Sequence, residues 1–84
     1  MQRTGSITLF PNPVLDVMNI QSTSMIGSVG LIEIISMEGR IVFSRNVDPS
    51  GDVYQINISD MKRGIYVCKL SNGLAIETIR FYKQ

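Results

Sequence analysis

The chain has 84 residues, enough for one hydrophobic core and too few for two. Hydrophobic residues make up 44% and charged residues 18%, a balance that favours a folded domain over a disordered tail. A net charge of +1 gives no field to steer the chain toward nucleic acid or an anionic membrane, and with no His and a single Cys it lacks the parts for a Cys/His zinc cluster, a Ser-His-Asp triad or an internal disulfide.

One cysteine suits a reducing cytosol and an exported domain without disulfides equally well. No stretch approaches the roughly 20 apolar residues of a membrane span, and the polar start Met1 to Ser6 lacks the apolar core of a signal peptide. That start reads as the end of a linker or an added leader, so residues 1–7 are expected to stand apart from a domain over 8–84.

Pro and Gly punctuate the sequence at short intervals, and the segments between them alternate apolar and polar residues. This is the period of strands, and no window holds a helical period over three turns. Seven strands are predicted: about Ser6 to Phe10, Val17 to Ser22, Val29 to Met37, Arg40 to Asn46, Tyr54 to Ser59, Gly64 to Ser71 and Leu74 to Tyr82. Pro11, Asn12 and Pro13 end the first, because neither proline donates to a ladder and each drives its predecessor toward extended geometry. Glu38-Gly39 and Asn72-Gly73 are placed for tight hairpins of the primed type. Asp48 to Asp52 reads as a longer polar turn, and Asp60 to Arg63 as the link into the sixth strand.

Alternation also assigns faces. In the third strand Ile32, Ile34 and Met37 are assigned to the core, with Leu31, Glu33 and Ile35 outside. In the fifth, Ile56 and Ile58 point inward; in the sixth, Tyr66, Cys68 and Leu70. Leu31, Ile35, Ile41, Phe43, Ile65 and Val67 fall on exterior faces and form a candidate partner surface, including for pairing between copies. Seven short strands must close as two packed sheets, since one open sheet would leave an apolar face in water. The predicted fold is an all-β, Ig-like antiparallel sandwich.

Gly64-Ile65-Tyr66-Val67-Cys68 fits the tyrosine-corner arrangement, in which a Tyr two residues before a Cys returns its hydroxyl to the backbone. The partner Cys and core Trp of antibody domains are absent, so Cys68 reads as a small buried hydrophobe. Two carboxylates at Asp48 and Asp52 fall short of the 6–8 oxygens that calcium takes. Lys62 to Val67 lacks the aromatic spacing of an RNA-binding strand, and Asn57-Ile58-Ser59 is a chance glycosylation triplet inside a strand. No cofactor, metal or catalytic pair is expected, because no His is present to activate a hydroxyl or Cys68.

Phe10-Pro11-Asn12-Pro13 with Leu15 and Asn19-Ile20, Ile34 to Val42 through Met37-Glu38-Gly39-Arg40, Ile56 to Met61 leading to Gly64-Ile65-Tyr66, then Lys69, Gly73 and Phe81-Tyr82-Lys83-Gln84 together resemble the type A C-terminal sorting domain of the type IX secretion system. The resemblance runs from about Thr8 to Gln84. Met61-Lys62 departs from the family's usual Leu-Pro, and Ile35-Ser36 from its frequent Tyr-Asp.

The resemblance implies a C-terminal address on a larger cargo protein fused ahead of it. In Gram-negative bacteria such cargo crosses the inner membrane on its own signal peptide, and the outer-membrane translocon recognises the folded tail. A cell-surface cysteine peptidase, acting also as a sortase, then cuts the tail away, here before about Thr8. Under this reading Gly39, Arg40, Lys69, Lys83 and Gln84 are expected to form the read surface, with the terminal residues displayed. Pro11, Asn12, Pro13, Gly64, Tyr66 and Gly73 are expected to serve the fold. The alternative is an Ig-like or fibronectin-like structural or adhesive module of a surface protein.

Overall fold

The computed structural model describes residues 3–4, 7–22, 30–47, 53–72 and 76–84. Among them are eight strands: β1 (Arg3–Thr4), β2 (Ile7–Phe10), β3 (Val17–Ser22), β4 (Gly30–Ser36), β5 (Ile41–Val47), β6 (Val53–Asn57), β7 (Gly64–Ser71) and β8 (Ile76–Lys83). They form two four-stranded sheets, ordered β1-β2-β3-β6 and β5-β4-β7-β8, in which every neighbouring pair is antiparallel. The fold is the expected Ig-like sandwich, with no helix among the described residues; the two-residue β1 is the one strand the sequence did not suggest.

Strict alternation builds the core. Ile7, Leu9, Met18, Ile20 and Ile56 of the first sheet meet Ile32, Ile34, Cys68, Leu70, Ile79 and Phe81 of the second, all nearly inaccessible to water. Each large aliphatic side chain removed from water contributes roughly 1.5–3 kcal/mol, so this one layer dominates the stability of the domain. Across the sides of the sandwich, Arg45 Nη2 on β5 donates to the Gln55 carbonyl on β6 at 3.1 Å, and Ser22 Oγ on β3 donates to Glu77 Oε1 on β8 at 3.0 Å.

Three local expectations need correction. Met37 does not continue the inward row of β4: Ser36 takes that place and Met37 is 59% exposed. The β4–β5 connection is a three-residue loop, Met37 to Gly39, closed by Ser36 N–H to the Arg40 carbonyl at 2.8 Å and Gly39 N–H to the Ser36 carbonyl at 2.9 Å. A primed two-residue turn would put Glu38 at positive φ; among the described residues only glycines hold one, and Gly39 does so at 88°. Phe43 packs against the core instead of facing out, because Ile34 pairs with Phe43 while Ile35 pairs with Ile41. Val42 is the extra residue of a β-bulge, and one extra residue reverses the facing of everything beyond it.

Candidate functional site

One end of the sandwich gathers most of the residues the sequence singles out. β4 ends there at Ser36, β5 starts at Ile41, β6 ends at Asn57, β7 starts at Gly64 and β8 ends at Lys83. The register places Ser36 opposite Tyr66 and Gly64 opposite Lys83. The segment after β2 completes this end: Val14, fully buried, forms a parallel bridge with Lys83.

Pro11 to Val14 acts as a strap along the outer edge of β8. Tyr82 N–H donates to Asn12 Oδ1 at 3.0 Å, Val14 N–H donates to the Tyr82 carbonyl at 2.8 Å, and Gln84 N–H donates to the Val14 carbonyl at 2.8 Å. An edge strand otherwise presents unpaired backbone groups to other chains. The two prolines lack an N–H, so the strap pairs with β8 through the Asn12 side chain and the Val14 backbone. This role was not predicted from sequence; a lone Asn between two prolines was its only trace.

The link from β6 to β7 is equally tied down. Asn57 Oδ1 accepts from Ser59 N–H at 2.9 Å, a side-chain turn that uses the asparagine of the apparent glycosylation triplet. Ile58 N–H donates to the Asp16 carbonyl at 2.7 Å and Met61 N–H to the Ile58 carbonyl at 3.0 Å. Tyr66 Oη donates to the Lys62 carbonyl at 2.6 Å, and its ring stacks on Phe81 with centroids 5.8 Å apart. The tyrosine corner expected from Gly64 to Cys68 is therefore formed. Gly64 opens β7 at φ 153°, a conformation that disfavours any side chain.

Between the β4–β5 loop and this link lies an open groove of about 560 Å³, lined in part by Met37, Glu38, Arg40, Asp60, Lys62 and Ile65. Gly39 and Arg40 are exposed at its rim. Pro11, Asn12 and Pro13 are exposed at the same end. Gln84 is exposed, whereas Lys83 is only 6% exposed and its Nζ donates to the Gln84 main-chain oxygen at 2.8 Å. The expectation of a displayed Lys83 fails because the alternation of β8 sets it on the same inward row as Ile79 and Phe81. Lys69 stands apart at mid-sheet, half-buried, with Nζ 3.9 Å from Glu33 Oε1. Gly73 and the Asp48 to Asp52 turn lie outside the described residues.

Of the predicted exterior apolar set, Ile41 and Ile65 are exposed and Leu31, Ile35 and Val67 half-buried. Cys68 is fully buried, and burial pushes its thiol from 9.0 up to about 12, so it is not a nucleophile at neutral pH. Among the described residues no cluster of three or more His, Cys, Asp or Glu side chains is placed to hold a metal ion, and no helix is long and apolar enough to cross a membrane.

What this end offers is a rigid surface of backbone, charge and apolar side chains, suited to being bound. No curated protein matches the chain closely enough to mark a relative. A family model described as a secretion system C-terminal sorting domain matches residues 8–84, which takes in β2 from its second residue, every later strand and the whole strapped end. The chain belongs to that family, and is a sorting signal of the type IX secretion system that directs an attached cargo to export.

Proposed function

We propose that the outer-membrane translocon reads this domain in its folded form, at the strapped end, through the hairpin residues Gly39 and Arg40 and the exposed Gln84. Lys69 extends the read surface along the sheet, and Lys83 contributes by fixing Gln84 from within. The domain is not an enzyme: it travels through the periplasm on its cargo, and a cell-surface cysteine peptidase of sortase type removes it by a cut before about Thr8. The observation that carries the reading is the family match over residues 8–84; the convergence of the hairpin, strap and tail at one end supports it.

The test is secretion of a periplasmic reporter fused ahead of residues 1–84, in a host with an active type IX system and in one without its translocon. Deleting Lys83 and Gln84 would remove a buried side chain and a strap bond, so its effect would not separate contact from folding. Arg40→Glu and Gln84→Ala change exposed side chains instead. Surface appearance only with the translocon, reduced by these substitutions in a folded domain, is expected; equal retention in both hosts would reject the reading.

A further inference from the structure

We propose that the outer face of the β5-β4-β7-β8 sheet, at its strapped end, docks a protein surface that is apolar at its centre and acidic at its rim. The proposal deepens the sorting reading and rests on it. The register sets Ile41, Ile35, Val67 and Arg80 side by side across four strands, with Ile65 opposite Tyr82 in the adjoining row. Ile41 is 54%, Ile65 46% and Tyr82 39% exposed. None of them is needed for the core, which the opposite face supplies. The next row toward the other end is Ser44, Glu33, Lys69 and Thr78, a polar row that separates this cluster from Leu31 and the exposed Ile76 farther along the face. A contiguous apolar patch bounded by polar residues is the signature of a partner surface.

Charge complementarity names the occupant. Arg40 adjoins Ile41 in sequence, Arg80 lies directly across from Val67, and both are exposed. Neither makes an ion pair among the described residues. A partner surface with carboxylates around an apolar centre would satisfy both. A second copy of this chain would present guanidinium groups at the rim of its own patch, where the proposed partner presents carboxylates. Strand spacing gives the patch an area on the order of 200 Å², against about 800 Å² per partner in a stable protein pair. The patch is thus the apolar centre of a contact with a larger, different protein.

The experiment is the reporter fusion to residues 1–84 in hosts with and without the translocon, carrying a photo-crosslinking amino acid at position 41, 65 or, as a control on the other sheet, 21. Crosslinks from 41 and 65 to a translocon protein, and none from 21, are expected. Ile41→Ser with Ile65→Ser, and separately Arg40→Glu with Arg80→Glu, are expected to lower surface delivery about tenfold, the loss of a modest hot spot, with the unfolding midpoint retained; Arg40→Lys with Arg80→Lys is expected to restore delivery. An unsubstituted fusion that is not delivered defeats the sorting reading and the docking face together. Normal delivery of the unsubstituted fusion and of both variant pairs defeats the docking face alone. Crosslinks joining two copies of the domain would overturn the choice of occupant.

Discussion

The two faces of the β5-β4-β7-β8 sheet differ by a one-residue step. Inward, Ile34, Cys68 and Ile79 stand in one row and are almost wholly buried. Outward, the adjacent row of Glu33, Lys69 and Thr78 is polar and reached by solvent. The period of a strand is two, so one sequence writes both faces at once. The inner face fixes the fold and tolerates little; the outer face carries side chains that the core does not need.

The sharpest attempt to break this division is Phe81→Ala. Phe81 is 2% exposed and stacks on Tyr66, and truncation of a buried aromatic costs about 3–5 kcal/mol, a large share of the roughly 4–12 kcal/mol of a domain this size. Urea denaturation is expected to show that loss, and a change below about 1 kcal/mol would contradict the placement of the inner row.

Cys68 offers a second probe of the same face. Its thiol is raised in the folded state from 9.0 to about 12 by burial. The neutral form is the one the fold holds, so its contribution is complete below pH 9 and is lost as the pH rises from 9 toward 12. Stability should fall over that window by at most about 1.4 kcal/mol per pH unit from this group. Denaturation midpoints against pH should show a shallower decline in Cys68→Ala; identical slopes would mean that the thiol is not buried.

Tyr66→Phe and Asn12→Ala each remove one hydrogen bond at the strapped end and should cost about 0.5–1.5 kcal/mol apiece. The two differ in a way that sharpens the comparison: Asn12→Ala should also speed exchange of the Tyr82 amide, whereas Tyr66→Phe should not. The smallest effect belongs to the outer face. The Lys69–Glu33 pair is 3.9 Å apart and partly solvated, so Lys69→Met should change stability by under about 1 kcal/mol, measured by the same denaturation.

How far the sequence revealed these features follows from how local each one is. The inward rows of β4, β6 and β7 were legible because clean alternation needs no knowledge of a partner. Phe43 was misread because the bulge at Val42 exists only in the register between β4 and β5. The tyrosine corner was legible from Gly64 to Cys68, since its hydroxyl reaches only four residues back. The strap was not, because Asn12 and Tyr82 are 70 residues apart. Lys83 is a different case: it shares the inward row of Ile79 and Phe81, so alternation pointed to its burial against the usual surface habit of lysine. Of the candidate site, the hairpin and tail were legible as residues, while their meeting at one end depends on topology.

The tail strand β8 is part of the fold, held along its edge by the strap so that the end it helps build is fixed. Tyr82 and Gln84 direct their amides to the strap. By the two-residue repeat of an antiparallel edge, Thr78 and Arg80 also direct theirs away from β7, and they have no backbone partner there among the described residues. Residue-resolved amide hydrogen exchange compares the two halves of one edge in a single experiment. Protection of Tyr82 and Gln84 well above that of Thr78 and Arg80 is the predicted result. Exchange of all four at the same fast rate would contradict the strap and, with it, the fixed tail.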